Sequence, residues 1–319
     1  MSDLRYNVEL VAPDISAYRA GNTGVDYVTT FTAVEPGPHV AVFGLTHGNE
    51  ICGAIAIDRL LRANIRPRRG RLTLAFNNVG AFFEFDPRYP IASRYIDEDF
   101  NRLWLPATLD GPRNSAELQR ARAMRPIVDT ADYLLDLHSM QYATAPLMLA
   151  GLLHKSRELA RQIGIPEIIM CDAGHAAGPR MRDYGGFGDP ASPKTALLIE
   201  AGQHWEKRAA EVAMDVTLRF LIALGVVMRD DVAALGGPDF DATPKQKVIE
   251  VTEAVTITGN RFEFVQPYIG LEVISKRGSV IGHDGDREVR TPYDNCVLIM
   301  PSRRLIRGQT AVRLGRYVD

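Results

Sequence analysis

The stretch HVAVFGLTHGNEICGAIAIDRLLRA, residues 39–63, decides the architecture. It opens on a short apolar run closed by a glycine, the pattern of a buried strand. A polar turn from Leu45 to Glu50 follows. Beyond it Ile51, Ile55 and Leu60 turn partly inward on a helix over 51–63. Strand, turn and helix in that order form the repeating unit of a parallel α/β sheet.

Working outward, similar apolar runs rich in Val, Ile and Leu lie at 72–77, 132–138, 167–171 and 195–200. A helix is expected over 116–130, with Asn114 and Ser115 available as N-caps. Trp205, Ala209, Val212, Val216, Phe220 and Ala223 recur at steps of three and four, which marks 205–224 as an amphipathic helix. The expected fold class is therefore α/β, a mixed, mostly parallel sheet with flanking helices. Beyond about Leu235 no helical period survives. Ile249, Val251, Val255 and Ile257 alternate with polar residues, as do Phe262 with Phe264 and Leu271 with Val273. Turn signals recur at Gly259-Asn260, Lys276-Arg277-Gly278 and Asp284-Gly285-Asp286. This predicts a smaller, antiparallel C-terminal β domain. The boundary falls between 228 and 245, near Gly236-Gly237-Pro238-Asp239, giving domains 1–235 and 236–319.

The length of 319 residues agrees with two domains at roughly 150 residues each. Lys plus Arg number 37 and Asp plus Glu 39, a net charge of −2. That balance argues against nucleic acid as a partner and against a polybasic membrane anchor. The longest apolar stretch, 145–153, is too short to span a bilayer, and the first ten residues have no apolar signal core. Cys52, Cys171 and Cys296 are odd in number and widely spaced, so they form neither a disulfide framework nor a Cys-x-x-Cys metal site. Three unpaired thiols suit a reducing compartment, and the expected location is cytoplasmic.

The polar turn carries the first chemistry. His47 and Glu50, three residues apart, can converge on one metal ion, and zinc accepts both donor types. Taken alone, the pair is weak evidence for a metal and reads better as a polar loop with Glu50 at a helix start. Asp136-Leu137-His138 changes the balance, because His138 closes a second apolar run at a comparable strand end. His47, Glu50 and His138 would make the three-ligand set of a catalytic zinc site, one ion per chain. Glu200 closes a third run, where a carboxylate is costly without purpose. Near activated water it can act as general base and then return the proton. Arg94, in the segment 93–102, is a candidate for oxyanion stabilisation.

Taken together, Gly44-Leu45-Thr46-His47-Gly48-Asn49-Glu50, Arg94-Tyr95-Ile96-Asp97, Asp99-Phe100-Asn101-Arg102, Asp136-Leu137-His138 and Ile199-Glu200-Ala201-Gly202 resemble the succinylglutamate desuccinylase/aspartoacylase family, related to the zinc carboxypeptidases. The resemblance is strongest over 38–205 and looser in the C-terminal part. It implies a carboxypeptidase-like catalytic domain with the β domain covering the active site. It implies His47, Glu50 and His138 as zinc ligands, Glu200 as the glutamate that activates water, and Arg94 as the arginine that polarises the scissile carbonyl. Asn101 and Arg102 match the pair that grips a substrate carboxylate. The implied activity is zinc-dependent hydrolysis of the amide of a small anionic N-acyl amino acid or related amine.

The chain departs from the family pattern in places. Phe100 stands where leucine is usual, and the segment after Glu200 reads Ala201-Gly202-Gln203-His204-Trp205. The family's arginine shortly before the catalytic glutamate has no direct counterpart. Arg180 or Arg182 is expected to substitute, with Arg182 taken as the substrate-binding candidate, and Tyr293 is the candidate from the C-terminal domain. His39, His154, His175, His204 and His283 read as packing or surface histidines, and His175 also suits a pocket loop. Two other functions fit the same residues: a metallocarboxypeptidase acting on peptides, and a non-catalytic small-molecule-binding protein. The acyl group, the amine and the oligomeric state, a homo-oligomer included, stay open.

Overall fold

The computed structural model of the chain describes residues 6–174, 177–236 and 239–318. In chain order, strand β1 (Val28–Thr32) leads into β2 (Glu35–Gly44), helix α1 (Ile51–Arg62) and β3 (Arg69–Phe76). Three helices follow, α2 (Val79–Phe83), α3 (Pro106–Leu109) and α4 (Ala116–Thr130), the last capped by the Ser115 side chain. Next come β4 (Tyr133–Met140), β5 (Leu147–Leu149), α5 (His154–Ile163), β6 (Ile168–Cys171) and β7 (Thr195–Gln203). Helices α6 (Lys207–Ala223) and α7 (Arg229–Val232) precede β8 (Lys247–Thr256). The chain ends with β9 (Phe262–Phe264), β10 (Val273–Ile274), β11 (Val280–Asp284), β12 (Arg287–Arg290), β13 (Cys296–Ile299) and β14 (Thr310–Val318).

Among the described residues, eleven strands form one sheet in the order β1-β3-β2-β4-β7-β5-β6-β8-β14-β13-β10. Strands β3, β2, β4 and β7 run parallel, and so do β5, β6 and β8. Parallel strands are covered on both faces, which is why β4 and β7 are buried almost throughout. Alternate residues serve opposite cores. Val42, Leu135, Leu197 and Ile199 pack with Ile57 of α1 and Phe220 of α6. Phe43, Leu134 and Ala196 face the other way, against Leu118, Met124 and Val128 of α4. This parity positions the site: Asp136 and His138 share the face of Leu134, and Glu200 shares that of Ala196.

The expected strands and helices of the first two-thirds are present. β1, β5 and α5 were not foreseen. Part of the apolar stretch 145–153 is β5, which runs antiparallel to β7 and parallel to β6. The C-terminal part is antiparallel as expected, with a second sheet ordered β12-β11-β9 and a core of Val255, Phe262, Ile281, Leu298 and Val312. Its strand β8 pairs in parallel with β6, Ile168 to Cys171 lying opposite Lys247 to Glu250. The C-terminal strands therefore continue the large sheet, and the division at 235/236 falls in the connection between α7 and β8. His175, Gly237 and Pro238 lie outside the described residues.

Candidate metal centre and its cavity

The turn from Leu45 to Glu50 leaves the carboxyl end of β2, where open α/β sheets bind ligands. Gly48 has no room for a side chain: a Cβ there would lie 2.4 Å from the Ala81 carbonyl carbon and 2.6 Å from the Ser93 oxygen. Its N–H donates to the Arg94 carbonyl at 3.1 Å, tying the turn to the loop that follows α2. That loop is held from α4, where the buried Glu117 carboxylate accepts the N–H groups of Ile96, Asp97 and Glu98 at 2.6, 3.0 and 3.2 Å.

His47, Glu50 and His138 are all buried, and one ligand atom from each lies within 4.8 Å of the others. Such a group can hold a metal ion. His47 Nδ1 lies 2.7 Å from Glu50 Oε1, and His138 Nδ1 lies 2.8 Å from Glu50 Oε2. Behind them, His47 Nε2 meets Asp99 Oδ1 at 2.9 Å and His138 Nε2 meets Asp136 Oδ2 at 2.9 Å. Each imidazole thus turns one nitrogen to the centre and the other to a carboxylate, the arrangement that orients metal-binding histidines. Asp136 also accepts from Thr46 Oγ1 at 2.6 Å, and Thr46 accepts from Asn77 at 2.8 Å. The donor set and its support fit zinc in type and number.

The electrostatics follow from crowding these groups out of water. Burial alone would raise the Glu50 carboxyl, but the facing His47 and His138 hold it well below the usual range. Burial would lower His138, but Asp136 and Glu50 hold it well above. Glu200 sits beside His138 in the β4–β7 register. Burial, and after it the charge of Glu50, pushes its carboxyl up to about 8. Its Oε2 is buried with no hydrogen-bond partner, an expensive state for a polar atom.

These residues line a cavity of about 290 Å³ together with Arg94, Asn101 and Arg102. All seven residues read as metal ligands, catalytic groups or the carboxylate-gripping pair therefore come together. Arg94 donates to Glu50 at 3.3 Å and to Asp99 at 3.1 Å. Asn101 accepts the Met181 N–H at 2.8 Å, and its Nδ2 lies 3.3 Å from His138 Nε2. Arg102 lies 3.9 Å from Asp99, and burial pushes its guanidinium down to about 10.

Two expected substrate-binding residues stand elsewhere. Arg182 is buried against Gly151 and bonds the Ala150 carbonyl at 2.9 Å and Asp183 at 2.5 Å, outside the cavity. Tyr293 bonds Thr252 at 2.5 Å beneath the Arg316 guanidinium, on the core of the C-terminal sheets. Arg180 reaches the cavity instead, paired with the buried Asp172 at 3.0 and 2.8 Å. Gly178 allows this, because its backbone packs so closely on Arg102 that a Cβ would fall 2.2 Å from the Arg102 oxygen. His204 and Arg313 also line the cavity and were not read as site residues. His204 accepts or donates to the Ser139 hydroxyl at 2.8 Å, and burial pushes it down to about 3, a neutral imidazole. Arg313 had one signal in the sequence, a charged residue inside the apolar alternation of β14.

Residues 36–224 match the catalytic domain of succinylglutamate desuccinylase and aspartoacylase. The aspartoacylase of Danio rerio is 30% identical over 122 residues, covering 35% of this chain and 36% of that protein. That of Xenopus tropicalis is 29% identical over 123 residues, covering 35% and 37%. The chain thus spans about a third of the length of these curated relatives. A succinylglutamate desuccinylase structure from Vibrio parahaemolyticus superposes with a TM-score of 0.66 at 17% identity, over 92% of this chain and 87% of that one. The product-bound ectoine utilization protein EutE (DoeB) from Ruegeria pomeroyi does so with a TM-score of 0.62 at 15% identity, over 93% and 92%. At these identities the structural likeness is one of fold.

Proposed function

The chain belongs to the succinylglutamate desuccinylase/aspartoacylase family, and from that premise we propose that it is a zinc-dependent deacylase. Its reaction is hydrolysis of the amide bond of a small N-acylated amino acid or related carboxylate-bearing amine. The observation that carries this reading is one cavity holding the His47–Glu50–His138 donors beside a carboxylate with a buried, unpartnered oxygen. A zinc ion held by those three side chains would supply Lewis acidity and bring the pKa of water down to about 7.

The chain's own residues supply the rest. Asn101 and Arg102 orient the substrate by its carboxylate, a match suited to a guanidinium fork. Arg94 stands beside Glu50 and offsets negative charge as the carbonyl carbon becomes tetrahedral. Glu200 Oε2 takes the proton from the attacking water and returns it to the leaving nitrogen, which departs as a neutral amine. A dication beside Glu200 favours its charged form, which draws the carboxyl below the value that burial sets. Met300, Pro301 and Ser302, from the C-terminal region, wall the cavity on one side, which favours a small substrate over a peptide.

The test is Glu200→Gln. The variant is expected to bind about one zinc per chain, as the wild type does, and to lose at least about a hundredfold in amine release from N-acyl amino acids. Retained turnover removes the proton-transfer role. A wild type that takes up no zinc removes the reading altogether.

A further inference from the structure

Two residues that follow β7, His204 and Trp205, reach Glu50 from either side. Between β4 and β7 the parallel register slips: His138 lies opposite Glu200, but Met140 lies opposite Gln203. Ala201 and Gly202 of β7 therefore face the single residue Ser139, a bulge of the kind that re-aims groups beside active sites. Gly202 permits it with a φ of +114°, a conformation that residues with a side chain rarely adopt. At this bulge the Ser139 N–H donates to Glu50 Oε2 at 3.1 Å. The Ser139 hydroxyl lies 2.8 Å from His204 Nδ1, and the His204 N–H donates to the Met140 carbonyl at 2.8 Å. His204 thus bonds both Ser139 and the residue after it. Trp205 Nε1 donates to the carbonyl of Asn49, the residue directly before Glu50, at 3.1 Å. Both side chains are buried.

We infer that His204 is a positioning residue: by pinning Ser139 at the bulge it holds the Glu50 carboxylate in place for the metal. The inference rests on the zinc reading above and names what steadies one of its three donors. A carboxylate on a flexible side chain binds a metal well only when its own hydrogen bonds fix its direction. For Glu50 one such bond comes from the Ser139 N–H, which lies where the ladder is interrupted. An N–H at such a place stays aimed when its own residue is anchored, and the bond between the Ser139 hydroxyl and His204 Nδ1 is that anchor. Burial holds His204 neutral, down at about 3, so the anchor sets no positive charge against a dication.

The test titrates zinc into metal-free wild type, Ser139→Ala, His204→Phe, His204→Asn and the double variant of the first two, in competition with a metal-binding dye. Ser139→Ala and His204→Phe are each expected to weaken zinc binding by about tenfold or more. His204→Asn, whose amide can still bond the Ser139 hydroxyl, is expected to recover most of that loss. The double variant is expected to lose no more than the weaker-binding single one, because both changes remove the same contact. A merely structural role would lower the melting temperature without this rescue or this coupling. Unchanged zinc affinity in His204→Phe overturns the proposal, as do additive losses in the double variant. If His204→Phe does not fold, Ser139→Ala and His204→Asn carry the test. A loss of about tenfold in the first alone then supports the proposal, and wild-type affinity in Ser139→Ala overturns it. If wild type takes up no zinc, the zinc reading fails, and exchange of the Ser139 amide hydrogen in the metal-free protein decides the role of His204. Exchange faster by about tenfold or more in His204→Phe supports it, and equal exchange overturns it.

Discussion

Asp136 has no exposed surface, yet it bonds Thr46 and His138. A carboxylate so deep is maintained by those bonds and by the imidazole it orients. Replacing it with asparagine keeps the shape and removes the charge. Asp136→Asn is therefore expected to weaken zinc binding by about 10- to 100-fold while the protein still folds, as measured by competition with a metal-binding dye. An unchanged affinity would show that the donors hold zinc without this support. At this scale the candidate metal donors were legible because His138 closes an apolar run and His47 and Glu50 stand on the polar turn just after another, places where polar residues stand out. Arg313 was not, because the strand order that brings β14 to the cavity is a tertiary fact. Arg182 and Arg180 are two residues apart, and only the path of the loop between β6 and β7 decides which one turns inward.

At the level of elements, the loop bearing Arg94 and Asp99 has no regular structure of its own and depends on α4. Glu117 accepts three successive N–H groups from it and a fourth bond from Asn78 at 3.0 Å. Cutting that carboxylate back leaves buried donors unpaired, at about 1–3 kcal/mol for each group left dry. Glu117→Ala is expected to lower the melting temperature and to raise KM, because both Arg94 and the carboxylate behind His47 lose their anchor. A chemical denaturation curve and steady-state kinetics on the same preparation check this, and a stable variant with normal KM would exclude the role. The sequence marks the α4 helix through its period and its serine cap. The partner of Glu117 could not be read, since three backbone donors on an irregular loop leave no residue pattern. The same limit hid β5 and α5, which are short or weakly apolar. The C-terminal strands were legible by alternation, whereas their union with the large sheet through β8 was not, because alternation looks alike whichever strand lies alongside.

For the whole molecule, the candidate metal centre draws its side chains from several parts of the sheet. His47 and Glu50 come from the β2–α1 turn, His138 from β4 and the facing Glu200 from β7, so a bound ion ties together the middle of the sheet. A ligand that binds only the folded chain stabilises it by about 4 kcal/mol at a thousandfold excess over its dissociation constant. For a chain of this size that is a rise of roughly 6 °C in melting temperature, from the usual unfolding entropy per residue. The gap between zinc-loaded and chelated protein is expected to depend on pH, with a definite sign. Without metal, His138 carries a folded pKa well above its unfolded value, so the stability it contributes is complete at low pH and disappears as pH rises through that raised value. Zinc requires the neutral imidazole and competes with that proton. Acidification therefore narrows the gap from both sides, and raising the pH widens it. Calorimetric scans of both forms from pH 6 to pH 8.5 measure it directly. A gap that is constant with pH would remove the proton linkage, whereas a pH dependence that disappears in a His138 variant still able to take up zinc would assign the linkage to this residue.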